Sequence, residues 1–406
     1  MSRKLLETDG SDWVQRGIIT EQQREQLLAL YPTDTAAVGL LPLLGSLLMG
    51  LSALSVVAAN WQGLPELVRL GLLLGALCGA YAGGEYFRRR GNLNLGMGLI
   101  ALGLMLFGAS IVLTSQLYQL IGYDLTGLLA WAVAGMGLTW LYRRRLLFLM
   151  TAVISGIVQG YNTGQLGAFS YLTAAGTALG LGYYWWRRPD ALLGSVLATG
   201  LLWQAALLIN HLHVKITWFF IPAMLVYAFG DWQPDRPAGR ALQGPPLVAA
   251  FLFTLGLALF GESDIYAGQL RAPLVPYLAA LAAVLALSLW GKQRRGRIGS
   301  ATDWLLLLPG FYFTGGLPLA VATLVVLYAY SGSVLWRAHQ EQNQDRVTLG
   351  TVLFVLTTAV AYFKLTWGFM DKSVFFLLGG LLLFGLSWLL RRRAARTFAG
   401  STASKP

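Results

Sequence analysis

Two histidines spaced by two, His211 and His213, and two acids spaced by two, Glu262 and Asp264, are the residue types that hold a metal ion. A spacing of two puts side chains on different faces of a helix, so both histidines could ligate only from an extended segment. The plainer reading is a pair of solvated loop histidines, and neither a metal nor a cofactor is expected. Glu66 and Arg69 could supply the base and the phosphate clamp of a membrane transferase. At spacing three they more simply form a surface pair. Lys364 and Asp371 flank one turn and could pair with each other or with neighbouring carboxylates. No phosphate-binding loop, zinc-protease motif, nucleophile elbow or dinucleotide fingerprint occurs, so no catalytic residue is assigned.

A larger set of polar residues recurs between apolar runs. It comprises Asn60 and Trp61; Gln116, Tyr118 and Gln119; Gln159, Tyr161 and Asn162; Asn210 and His211 with His213; Glu262, Asp264 and Tyr266; and Lys364, Trp367 and Asp371. Polar side chains are costly in lipid, so those at membrane depth should face a bundle interior or water. If they converge they line one polar cavity. If they do not, they cap helix ends, with Trp and Tyr in the headgroup belt.

The elements that must position them are membrane spans. Hydrophobic residues make up 56% of the chain and charged residues only 12%, against roughly 25% charged in soluble domains. That much apolar surface needs lipid as its solvent. The apolar runs fall near 39–59, 64–87, 94–115, 125–142, 146–164, 167–186, 191–210, 216–230, 246–261, 273–291, 301–315, 317–336, 347–363 and 373–390. The expected fold is an all-α, polytopic transmembrane bundle of about 14 spans. The segment 216–230 is short, and the pair around Gly315-Gly316 could be one broken helix with a re-entrant piece.

Orientation follows from the basic residues. Every second span ends in aromatics and arginines, as in Tyr86-Phe87-Arg88-Arg89-Arg90, Trp185-Trp186-Arg187-Arg188 and Trp388-Leu389-Leu390-Arg391-Arg392-Arg393. With the N-terminus in the cytoplasm, the outer loops hold only Arg69, Lys215, Arg271, Lys364 and Lys372 of the 30 basic residues. Glu66, Asp124, Glu262, Asp264 and Asp371 balance them, so the inner face carries the whole net +12. Both termini are therefore expected inside. Basic residues at helix ends meet lipid headgroups, whereas a nucleic-acid binder would gather them on one soluble face, so nucleic acid is excluded as a partner. The same orientation puts the polar set above on the outer side. A second polar set toward the inner side has only Gln204, Glu85 and Asp303 as candidates.

The expected organisation is a cytoplasmic helical hairpin over 1–35, a first transmembrane half over 36–230, a cytoplasmic linker loop over 231–245 rich in Pro, Gly and Arg, a second half over 246–393, and a disordered cytoplasmic tail over 394–406. Thr20-Glu21-Gln22-Gln23 is a capping box, and Gly17 is the expected turn before it. Residues 1–35 carry no signal-peptide pattern, so insertion should depend on an uncleaved first span. The lone Cys78 is expected to be a small buried side chain. Gly71, Gly75, Gly79 and Gly83 form a stripe at spacing four that would let another helix approach closely, and Gly176 and Gly180 repeat it once.

Trp13…Gly17-Ile18-Ile19-Thr20…Gln23, Ala58-Ala59-Asn60-Trp61 with Leu64-Pro65 and Arg69, and Leu106-Phe107-Gly108-Ala109…Gln116-Leu117-Tyr118 resemble a bacterial membrane family catalogued as domain of unknown function 2157. Tyr362-Phe363-Lys364 through Lys372-Ser373 to Arg391-Arg392-Arg393 is similar to the related family 4401. The resemblance implies a bacterial inner-membrane protein without assigned activity, some members being encoded beside a small protein with a Gly-Asp-Tyr motif. It supplies no catalytic residues. Three functions compete: a transporter or flippase-like protein with an outward-facing polar cavity, a non-catalytic component acting with a neighbouring membrane or periplasmic protein, and a lipid-linked transferase. The first should show a polar path continuing inward, the second a co-purifying partner, the third an outer acid beside a larger outer loop.

Overall fold

The computed structural model describes residues 16–30, 63–117, 126–260, 273–296, 298–307 and 317–366, with isolated positions 10, 13, 14, 380, 381, 384 and 385. All its regular elements among the described residues are helical. The chain divides into two compact units, Met1–Gly79 and Ala80–Pro406.

In the first unit, α1 (Glu21–Leu30) starts on the expected capping box. The Thr20 amide donates to Gln23 Oε1 at 2.9 Å, and the Gln23 amide donates to Thr20 Oγ1 at 3.2 Å, so two orphan donors of the first turn are satisfied. Gly17 turns at φ +69, a left-handed conformation open to glycine. Helix α2 (Glu66–Arg89) begins in this unit. Cys78 on α2 is exposed, a correction to the buried side chain expected: where lipid is the solvent, an apolar thiol needs no protein around it.

The second unit carries α3 (Leu93–Leu117), α4 (Thr126–Tyr142), α5 (Arg145–Gln165), α6 (Tyr171–Ala175), a π-helical turn (Gly176–Leu181), α7 (Gly182–Arg187), α8 (Ala191–His211), a 3₁₀ turn (Ile216–Phe219), α9 (Phe220–Trp232), α10 (Arg236–Phe260), α11 (Leu274–Arg294), a 3₁₀ segment (Ile298–Leu307), α12 (Leu317–Gln340) and α13 (Gln344–Thr366). Among the described residues eight helices are long and apolar enough to cross a membrane by length and composition, and two apolar helices, Gly127–Tyr142 and Ile216–Trp232, are shorter. Large apolar side chains face outward, with Val275 78%, Leu179 73% and Leu141 70% exposed, as a lipid-facing surface requires.

Tryptophans lock the helices together across glycine gaps. The indole N–H groups of Trp131, Trp203 and Trp232 donate to the carbonyls of Leu104, Gly156 and Leu287 on neighbouring helices at 2.8–3.2 Å. Gly108 and Gly291 leave the space for the rings of Trp131 and Trp232, since an added Cβ would collide with them.

Three sequence readings change. The segment 231–245 is helical from Arg236 onward, because α10 runs unbroken through Pro245 and Pro246. Pro245 cannot donate to the carbonyl of Ala241; Ser195 Oγ on α8 donates to that carbonyl instead, at 3.2 Å. The run 167–186 is interrupted at Gly176–Leu181 by π-helix, at the very glycines read as a packing pair. Of the run 301–315, the part described is the 3₁₀ segment Ile298–Leu307.

The arginine-bearing ends gather at one end of this unit. Tyr142 OH at the end of α4 donates to Glu85 Oε2 near the end of α2, at 3.4 Å. Arg145 at the start of α5 pairs with Asp190, the N-cap of α8, at 2.6 Å. Arg295 beyond α11 donates to the Trp232 carbonyl at the end of α9. Arg236 and Arg240 of α10 reach Glu341, in the turn between α12 and α13.

Candidate functional site at the arginine-rich end

Tyr227 and Asp231 lie four residues apart on α9, and Ser288 and Lys292 four apart on α11, so each pair shares a helix face. The 3₁₀ segment has three residues per turn, which aligns Ser300 with Asp303. These faces meet in the interior. Lys292 is fully buried, with Asp231 1% and Tyr227 0% exposed. Lys292 Nζ donates to Asp231 Oδ1 at 2.8 Å, to Tyr227 OH at 2.9 Å and to Ser300 Oγ at 2.7 Å, which uses all three ammonium protons. Asp231 also accepts from Gln243 Nε2 at 2.7 Å and, through Oδ2, from Ser288 Oγ at 2.6 Å. Trp304 Nε1 donates to the Ser288 hydroxyl at 3.2 Å.

Tyr227 extends the network. Its hydroxyl accepts from Lys292 and donates to Asp303 Oδ2 at 2.9 Å, and Arg337 on α12 donates to Asp303 Oδ1 at 2.5 Å. Two carboxylates thus face two cations, with a phenol between the pairs. Gly291, beside Lys292, lets α11 close on α9: a Cβ there would stand 3.2 Å from the Cβ of Asp231. An aspartate in the last helical turn opposes the helix dipole, so local propensity does not explain Asp231; its partners do. Buried ionisable groups joined in this way tie the helices that carry them to one another.

A second polar cluster runs along α5. Thr151, Ser155, Gln159 and Asn162 share one face and are all fully buried. Thr151 and Thr139 hydroxyls meet at 2.9 Å. The Gln159 amide faces the backbone of Ser170 and, oriented to match it, donates from Nε2 to the carbonyl at 3.2 Å and accepts at Oε1 from the amide at 3.1 Å. Ser170 in turn caps α6 through the Thr173 amide. Among the described residues, Ser155 Oγ, both polar atoms of the Asn162 amide and Gln204 Oε1 on α8 are buried without a hydrogen-bond partner. Such groups in native proteins ordinarily meet water or a ligand.

The structure places the sequence candidates as follows. Gln159 and Asn162 lie on the buried face of α5. His211 joins them through the loop before α6: its ring stacks on Phe169 at 6.1 Å, next to the Ser170 that Gln159 holds. Tyr161 is exposed, beside a groove of about 460 Å³ along Gly156, Gly160 and Gly164 that ends at Trp203. Asn210 and His213 are exposed. Lys364 Nζ donates to the Leu259 carbonyl near the end of α10 at 3.2 Å. Gln116 lies in α3, its side chain outside the described residues; Asn60, Trp61, Tyr118, Gln119, Glu262, Asp264, Tyr266, Trp367 and Asp371 lie outside them altogether. Gly71, Gly75 and Gly79 meet no described atom within 4 Å of an added Cβ, and Gly83 meets only Leu99 Cδ1 at 3.6 Å. The tight approach of α2 to α3 comes at Gly84, whose Cβ would stand 3.0 Å from the Gly96 carbonyl. Glu85 is taken by Arg88 and Arg89. Among the described residues no three His, Cys, Asp or Glu cluster to hold a metal ion.

Of the network, only Asp303 was a sequence candidate. The signal for the rest was an aspartate and a lysine on matching helix faces, hidden by the abundance of cations at helix ends.

Apolar helices with lipid-facing side chains and a buried charge network define a membrane protein with multiple helices. In line with this, residues 11–148 match the family described as "Predicted membrane protein (DUF2157)". The match stops before the C-terminal part compared above with family 4401. A Bacillus subtilis (strain 168) protein named "Uncharacterized amino acid permease YvbW" is 24% identical over 136 residues, 33% of this chain. The aligned part spans 30% of that protein's length. No solved structure matches the chain.

Proposed function

We propose that the protein is a secondary transporter of the bacterial inner membrane, of about 14 spans with both termini in the cytoplasm. Its solute path follows the polar face of α5 from an outward-facing polar cavity, and its inner side is closed by the Asp231–Lys292–Tyr227–Asp303–Arg337 network. The observation that carries the reading is the Lys292–Asp231 pair, buried at 0% and 1% exposure. Intramembrane ionisable groups are costly, and they mark ion and substrate pathways. Opening the inner side requires α9 and α11 to part from the 3₁₀ segment and α12. That motion breaks the bonds of Tyr227 to Asp303 and of Lys292 to Ser300.

Amino acids are the first solutes to test, because a protein named as an uncharacterized amino acid permease is similar to part of this chain. The full-length protein in liposomes is offered each amino acid with and without an inward proton gradient. Gradient-dependent accumulation of at least one, lost on Asp231→Asn, supports the reading. Accumulation of none under any gradient removes it. A partner-bound, non-catalytic role would draw on the open Gly156–Gly160–Gly164 groove, and a stoichiometric second protein that co-purifies with the inactive chain would favour it.

A further inference from the structure

The run-ends of α4 and α7 enclose a cavity of about 290 Å³ lined by Trp140, Arg143, Tyr183, Tyr184, Arg187 and Arg188. The aromatics form one assembly: Trp140 stacks on Tyr183 at 5.6 Å with ring planes 17° apart, and Tyr184 meets Trp140 edge-on at 5.8 Å. Arg187 is fixed to it, its Nε donating to Tyr183 OH at 2.9 Å and its guanidinium standing 5.3 Å over the Tyr183 ring. Arg143 has φ +52, a left-handed conformation that a residue with a Cβ adopts at an energetic cost.

Several arginines at this end of the unit are neutralised by acids, and these three share one cleft without one. Arg88 has Glu85, Arg145 has Asp190, Arg240 has Glu341 and Arg337 has Asp303. Among the described residues Arg143, Arg187 and Arg188 pair with no carboxylate. Three guanidinium groups around one cleft, without a counter-charge, form a site for an anion with several acceptor oxygens, and phosphate matches guanidinium geometry. Exposed apolar side chains neighbour the lining residues along the chain. Leu141, next to Trp140, is 70% exposed, and Leu179, four residues before Tyr183, is 73% exposed. A free anion would use only the arginines; an amphiphile uses both.

We propose that this cleft binds the phosphodiester headgroup of an anionic glycerophospholipid, with its acyl chains along the Leu141 and Leu179 surface. Basic pockets between membrane helices suit this class of ligand, and the aromatics fit the boundary between headgroup and hydrocarbon. The site is separate from the transport reading and needs only the membrane setting.

The test uses the full-length protein purified in an uncharged detergent, with phosphatidylglycerol, phosphatidylcholine and inorganic phosphate as probes and lipid retention read by native mass spectrometry. Phosphatidylglycerol should be retained at least roughly tenfold over phosphatidylcholine, from about one basic residue's worth of attraction per arginine. The preference should fall in Arg188→Gln, disappear in the Arg143→Gln/Arg187→Gln/Arg188→Gln variant, and survive in Arg89→Gln, which alters a residue paired elsewhere. Arg188→Gln touches an exposed position and keeps the test meaningful if the triple variant folds poorly. Equal retention of the two lipids by the parent protein overturns the proposal. So does undiminished preference in both arginine variants. Displacement of phosphatidylglycerol by inorganic phosphate at equal concentration would mark a free-anion site and overturn the lipid assignment.

Discussion

Lys292 Nζ stands 2.8 Å from Asp231 Oδ1, and neither side chain reaches the surface. An isolated charge at either position would be strongly disfavoured, so each residue makes the other tolerable. The remaining partners, Tyr227, Ser288, Ser300 and Gln243, complete the hydrogen bonds of the pair.

Removing one partner leaves the other buried and uncompensated. Lys292→Met and Asp231→Leu should each lower stability by about 3–5 kcal/mol, whereas the double variant should recover much of the loss. Thermal unfolding in detergent measures all three. Additive losses in the double variant would show that the two residues act independently.

Tyr227→Phe keeps the ring and deletes a hydroxyl that joins the two ion pairs. Lys292 loses an acceptor and Asp303 a donor, a loss of about 1–3 kcal/mol. An unchanged melting temperature would separate the Asp303–Arg337 pair energetically from Lys292.

Ser155→Ala deletes a buried hydroxyl without a partner among the described residues. A purely structural serine there is a burden, so the alanine variant should be as stable as the parent or more so, by up to about 2 kcal/mol. If the α5 face is the solute path, uptake should fall in the same variant. Lower stability with normal uptake would remove Ser155 from the path.

Glu341 accepts from Arg240 at 2.6 Å, from Arg346 at 2.7 Å and from Arg236 at 3.3 Å. Partial burial pushes its carboxyl up, but the hydrogen bond from Arg240 and the nearby charges outweigh that and hold it below its usual 4.5. A lowered pKa in the folded state means a contribution present above the unfolded pKa and lost as pH falls through the folded one. Parent and Glu341→Gln melting temperatures should therefore differ at neutral pH and converge on the acid side, below the ordinary carboxylate range. A difference that grows on acidification contradicts this.

Orientation is checked with single cysteines in a Cys78→Ala background. Thr163→Cys and Ser263→Cys should react with an impermeant thiol reagent in whole cells, and Gln342→Cys, in the turn beside Glu341, should not. The reverse pattern overturns the placement of both termini in the cytoplasm.

What was legible in the chain was mostly local. The capping box at Thr20 and Gln23 and the turn at Gly17 depend on a few adjacent residues and are found as read. The gathering of arginine-bearing helix ends follows from alternation along the chain, which the contacts at Glu85, Asp190, Trp232 and Glu341 reproduce. Pro245 and Pro246 misled for a local reason as well: composition could not reveal that a serine on another helix would serve the carbonyl that Pro245 abandons.

Hydropathy and charge alone determined that lipid is the solvent and that arginines mark one end of each helix pair, because both are properties of short segments. Only the tertiary structure decided which of those cations is a site. Lys292 and Asp231 are 61 residues apart, and each by itself reads as an ordinary residue at a helix end. Their burial depends on Gly291 admitting α9, on a 3₁₀ turn aligning Ser300 with Asp303, and on Arg337 arriving from α12. Packing between elements distant in sequence turns an anchor into a buried ion pair, and no spacing along the chain encodes it.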